Sequence, residues 1–187
     1  KVLQEAEPGE IFFSTIYPLL VQADAGRMDE ALSLARSVAA ESPAVAQRLI
    51  WGATCLRLLG QAAEADQLLL KVPDSLDFRG GLVEPQSELW VRTLLDFVAH
   101  RVTLDDLLRL TNDIDSPWKL RGEAYFHSAA MKLSQSERAG ALLDFEESYR
   151  SFDNQRRFTY HARILLVKLR REPNWPAWIP LGGSDHE

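Results

Sequence analysis

GRMDEALSLARSVAAESP (residues 26–43) and LGQAAEADQLLLKVP (residues 59–73) carry one pattern twice, with Ala65 and Leu69 standing thirty-four residues after Ala31 and Ala35. A period of that size, with a small residue early in a helical segment, marks stacked helix-turn-helix units. Two antiparallel helices joined by a tight turn cannot bury both apolar faces alone. Each pair must therefore lie on the next, with small residues where backbones approach closely. Ala31 and Ala65 are the expected contact points.

The same rhythm extends outward. The unit beginning at Ala46 has Leu49, Ala53 and Leu56 along one helix, Leu59-Gly60 at the turn and Ala65 in the helix that follows. Trp118, Gly122 and Tyr125 repeat the first-helix spacing further on, while Ala141 and Phe145 come about two turns late, so that unit needs a longer first helix. This spacing resembles the tetratricopeptide repeat (TPR) family. The resemblance implies an all-α fold: a right-handed α-α superhelix, or TPR-like solenoid, of about nine helices in antiparallel pairs with a C-terminal capping helix. It also implies a mode of action, recognition of a partner by an open helical surface, and names no partner.

Taken in order, the chain reads as one helical repeat domain over residues 1–187. Two regular repeats cover 11–73, a loop 74–84, two degenerate repeats 85–153, a capping helix 154–171 and a tail 172–187. Pro18 lies inside the first helix and should kink it or shift its start. Asp29 and Glu30 suit the positive end of the second helix. PDSLDFRGGLVEP (73–85) breaks the register with two prolines and Gly80-Gly81, either spacing two halves of the stack or touching a partner. Thr103 caps a short helix with Asp105 and Asp106 in its first turn, Ser116-Pro117 opens the long one, and Ser134 with Glu137 reads as a capping box. In the last helix Phe158, Ala162, Leu165 and Leu169 make one face and Arg156, Arg163 and Arg170 a line on another. Trp175, Trp178 and Ile179 are too apolar to hang free and should fold back on the stack.

An apolar content of 46% is that of a folded chain, and no run approaches the roughly 20 apolar residues of a membrane span. The chain starts at Lys1 without a signal-peptide pattern, which suggests a piece of a longer protein; localisation stays open, with the cytoplasm favoured. Net charge is −6, all of it in residues 1–100; residues 101–187 balance, and Asn154 to Arg171 holds six bases and no acid. A dominant positive field is missing, which argues against nucleic acid. Cys55 is the one cysteine, so no internal disulfide forms, and its place among Thr54, Leu56 and Leu58 suits a buried, inert thiol.

No phosphate loop, nucleophile elbow or metal-binding spacing appears, and no cofactor or enzymatic role is expected. Glu123 and His127, four apart on one helix face, are the nearest thing to a chemical pair, and suit an ion pair. The family's concave positions fall on Gln47, Ile50, Thr54 and Arg57 of the third helix, on Lys119, Glu123, Phe126 and His127 of the long helix, and on Arg157, Tyr160, Ile164 and Lys168 of the last. Ile50 and Thr54 stand where a carboxylate clamp needs Lys and Asn, which argues against a chaperone-tail receptor. The resemblance thus implies a scaffold that binds a protein or peptide partner, with Arg57, Lys119, Glu123, Phe126, His127, Arg157, Tyr160 and Lys168 at the contact. An acidic or extended segment suits the basic end. The chain would be a monomer or weak homo-oligomer, with no membrane. The alternative is a helical regulatory or appendage domain of a larger protein whose catalytic part lies upstream.

Overall fold

The computed structural model describes residues 8–40, 45–70, 76–77, 85–113, 117–151 and 157–180. Among these the chain is all-helical: α1 (Pro8–Asp24), α2 (Met28–Ala40), α3 (Ala46–Leu58), α4 (Ala62–Leu70), α5 (Pro85–Val98), α6 (Leu104–Leu110), α7 (Pro117–Ser134), α8 (Arg138–Arg150) and α9 (Arg157–Arg171). A short 3-10 turn, Thr111–Asp113, follows α6. The β-structure among the described residues is a single bridge between Val45 and Asp77. The rest of the 74–84 loop, the side chains of Trp118 and Lys119 and those of residues 152–159, Arg157 included, lie outside the described residues.

One turn recurs four times. After α1, α3, α5 and α7 a residue takes the left-handed region: Gly26 (φ 75°), Gly60 (φ 76°), His100 (φ 60°) and Ser136 (φ 66°). Each time the next residue's N–H reaches back five residues, Arg27 to Gln22, Gln61 to Leu56, Arg101 to Asp96 and Glu137 to Lys132, at 2.8–2.9 Å. These are Schellman turns, which satisfy the last carbonyls of a helix and reverse the chain. They make four helix hairpins, α1–α2, α3–α4, α5–α6 and α7–α8.

Thr103 accepts from the Asp106 N–H and returns the favour in a full capping box. The box expected at Ser134 does not form. Ser134 Oγ donates to Met131 O at 2.7 Å, and α8 begins only at Arg138 with Glu137 as its cap residue. The Schellman turn uses residues 135–137, so the helix start moves past them.

Consecutive helices pack on one another from α1 to α4 and from α7 to α9, as stacked hairpins require. In addition α3 lies directly on both α5 and α7, and α1 touches α9. Every residue of α3 except Gln47 is buried. On the α2 side Gly52 makes a tight approach, where a Cβ would stand 2.7 Å from Ala39 Cβ. The expected contact points Ala31 and Ala65 are also fully buried.

The tail folds back as its aromatics require. Trp175 and Ile179 are buried, and Trp178 Nε1 donates to Leu58 O at 3.0 Å. Arg138 clamps this segment by donating to the carbonyls of Leu169, Glu172 and Trp175, and Ser136 Oγ donates to Pro180 O.

Candidate functional site

Of the ten described positions expected to line an open hollow, five are interior. Ile50, Thr54, Arg57, Phe126 and His127 are all 1% exposed or less, so their reading as an accessible concave surface is corrected. The physical reason is that α7 covers that face of α3. Trp51 and Phe126 lie 5.9 Å apart between ring centroids, and Phe126 meets Phe145 edge-on at 5.6 Å. Burying several aromatic rings at about 25 cal/mol per Å² outweighs keeping a wet channel between the helices.

The polar groups buried with them act as cross-links. Arg57 Nη2 donates to Asp66 Oδ1 of α4 and to Val98 O of α5, both at 2.7 Å. Burial lowers the Arg57 pKa and the Asp66 carboxylate opposes that. Thr54 Oγ1 donates to Ile50 O at 2.9 Å and stands 2.7 Å from His127 Nδ1. A hydroxyl has one proton, so with that proton on Ile50 it accepts from His127, which places the imidazole proton on Nδ1. Burial, with Arg57 nearby, pulls the His127 pKa down to about 3, so the ring is neutral. Glu123 Oε2 accepts from Trp90 Nε1 at 2.8 Å, and burial pushes its carboxyl up to about 7. Glu123 and His127 share a helix face, yet each is turned to a different neighbour. Between α7 and α8, Asp144 takes both Ser128 Oγ at 2.5 Å and Lys132 Nζ at 2.7 Å. Cys55 is buried, and its thiol is pushed up to about 12. It is no nucleophile at neutral pH.

Lys168 is not available for a partner either. Its Nζ pairs with Asp24 at the end of α1 and sits 5.2 Å from the centroid of the Trp175 ring. Asp24 also accepts from Trp175 Nε1 at 2.7 Å. Three residues distant in sequence thus join α1, α9 and the tail.

That knot orients two exposed stripes. On α1, Tyr17, Val21 and Asp24 fall at i, i+4 and i+7; on α9, Tyr160, Ile164 and Lys168 fall at i, i+4 and i+8, with Val167 and Arg171 beside them. Both stripes run back from the Asp24–Lys168 contact. Tyr17 is 55% exposed, Tyr160 57%, and Val21 and Val167 each 41%. Arg163 and Arg171 are exposed alongside, and α9 contains no acidic residue. Of the positions expected at the contact, Tyr160 is the one whose described side chain stands open to solvent.

A hollow of about 250 Å³ lies between α6 and α7, lined by Asp105, Leu108, Arg109, Asn112 and Arg121. Arg109 is already paired there with Asp106 at 3.1 Å. With Asp105 and Asp106 against Arg109 and Arg121, the hollow has no charge preference. The α1–α9 seam is therefore the stronger candidate. Sequence reasoning missed it because Asp24 and Trp175 are 151 residues apart. The available signal was Trp175 itself, a large indole whose N–H must find an acceptor wherever the tail folds back.

Among the described residues no helix is long and apolar enough to cross a membrane, and no group of three or more His, Cys, Asp or Glu is placed to hold a metal ion. No protein-family model, no curated protein and no solved structure matches the chain.

Proposed function

We propose that this chain is a protein-interaction domain that docks its partner on the outer seam between α1 and α9. The stacked hairpins of the TPR-like reading act here as a rigid frame rather than as an open cradle. One observation carries the reading: Tyr17, Val21, Tyr160 and Val167 are held half-exposed on two helices whose relation is fixed by Asp24, Lys168 and Trp175. Scattered exposed apolar residues are ordinary on any surface. A set on adjoining helices, rimmed by cations, is what a recognition patch requires. Tyrosine suits it, since it supplies contact area at low entropic cost and keeps a hydroxyl for water.

A photo-crosslinking side chain placed at Tyr160 in cells should capture a discrete partner, and one at Leu143, 63% exposed on α8, should not. Capture that is equal from both positions, or absent from Tyr160, defeats the reading.

A further inference from the structure

We infer that the seat of residues 172–180 is a peptide-recognition site, and that its second occupant is the same segment of another copy of this chain, exchanged through a hinge at residues 172–174. This does not depend on the α1–α9 seam being a docking face.

The first argument is how the segment is held. Among the described residues its main-chain N–H groups donate only within itself and to α9: Glu172 to Lys168 O, Trp175 to Glu172 O and Ile179 to Pro176 O. It adds no strand or helix to the frame. Its ties to the rest are those of a bound peptide, two indole anchors and captured carbonyls. Trp175 Nε1 donates to Asp24 at the end of α1, and Trp178 Nε1 to Leu58 O at the end of α3. Arg138 and Ser136, where α7 gives way to α8, take the carbonyls of Trp175 and Pro180. Gly60 supplies the floor: a Cβ there would stand 3.1 Å from Ile179 Cγ1, so the bare turn admits the isoleucine.

The second argument is what release disturbs. Glu172, Pro173 and Asn174 are exposed, and the Glu172 carboxylate pairs at 3.8 Å with Lys168 of α9 itself, a contact that stays when the tail swings away. Arg138 also donates to the carbonyls of Leu169 and Glu172, so it keeps acceptors with the tail gone and the seat stays formed. Trp175 and Ile179, by contrast, are buried and need a seat. Another copy offers an identical one, so every contact is made again and the balance rests on the hinge and on concentration. A tether of a few residues gives the chain's own tail an effective concentration of about a millimolar. The closed form therefore prevails in dilute solution, and exchange shows once the tail's own seat is spoiled.

Two full-length variants separate seat from tail. Asp24→Ala/Arg138→Ala spoils the seat and keeps the tail; Trp175→Ala/Trp178→Ala keeps the seat and spoils the tail. At micromolar concentration each alone is expected to be monomeric by light scattering. Their mixture should form a one-to-one dimer, at least about tenfold tighter than either variant with itself. Adding Asp24→Ala/Arg138→Ala to the tail variant should abolish that dimer. If either double variant loses helix by circular dichroism, Arg138→Ala and Trp178→Ala alone take their places and the same outcomes decide. Folded variants that stay monomeric when mixed overturn the inference, as does a dimer that survives the loss of both seats. A synthetic 172–180 peptide that binds the tail variant, with no mixed dimer, would leave the seat a recognition site and remove the second copy as its occupant.

Discussion

Trp90 Nε1 donates a hydrogen bond to Glu123 Oε2 at 2.8 Å, and Glu123 sits one turn of α7 from the neutral, buried His127. The two shifts oppose each other in pH. Glu123 titrates near 7 when folded against 4.5 ordinarily, so the folded state holds the extra proton and stability is lost as pH rises from 4.5 to 7. His127 titrates near 3 against 6.5, so the unfolded state holds the extra proton and stability is lost as pH falls from 6.5 toward 3. Between 4.5 and 6.5 the two contributions cancel in the parent. Relative to it, Glu123→Gln should become more stable with rising pH, by about 1–3 kcal/mol across the window. His127→Asn, which keeps a donor near the Nδ1 position, should show the opposite trend. Urea midpoints at half-unit pH steps decide this, and parallel curves for all three proteins would refute it.

At Gly52 α3 lies tight against Ala39 of α2. Gly52→Ala would push a methyl to 2.7 Å from Ala39 Cβ, against an α3 that is packed on every side. We expect a loss of about 1–3 kcal/mol, typical of overpacking. Ala39→Gly added to it should recover most of that loss despite the lower helix propensity of glycine. Independent, additive costs in the double variant would show that the two helices separate freely there.

Arg57 ties α3 to α4 and α5, and the cost of disturbing it depends on which partner is removed. Asp66→Ala leaves a guanidinium with 2% side-chain exposure facing only carbonyl and imidazole groups. Because Asp66 is itself half-exposed, the loss should be about 2–3 kcal/mol, the low side of a broken buried pair. Arg57→Met, which removes the charge and fills the space, should cost less than Asp66→Ala. Denaturant unfolding that ranks them the other way would mean that the hydrogen bond to Val98 O is the dominant tie.

How much of this was legible in the sequence varies with the range of the interaction. Local signals worked: the Thr103 cap and the Pro117 start depend on neighbours within a turn or two, and the return of the tail to the core followed from its own apolar content. The Ser134 reading failed because Ser136 occupies a left-handed position in place of glycine, hiding the turn that Gly26 and Gly60 announce. The open face of α3 was read from the resemblance. Yet in AQRLIWGATCLRL the polar residues Gln47, Thr54 and Arg57 share one side with apolar Ile50 among them and every other face is apolar save Arg48, and a helix with so thin a polar side belongs at the centre. Partners such as Trp90 for Glu123 and Asp24 for Lys168 depend on packing of distant helices, which no local pattern encodes.

The tail clamp can be released at one residue. Arg138→Ala removes the donor to the Leu169, Glu172 and Trp175 carbonyls, at a cost of about 2–3 kcal/mol for a charged group serving several acceptors. Trp175 should then gain solvent access and its fluorescence shift to the red, with local amide exchange accelerating in residues 172–180 before the helices open. Unchanged emission in a folded variant would show that Asp24 alone holds the indole.

The meeting of α1 with α9 also bears on how such a chain can change its length. An open row of hairpins can gain a unit by duplication, because the newcomer needs only one neighbour on each side. Here an extra hairpin between α4 and α5 would drive Asp24 away from Lys168 and Trp175, stripping the indole and the ammonium of their shared acceptor. An insertion between α4 and α5 is thereby opposed by a contact between α1 and α9, and not by the neighbouring hairpins alone.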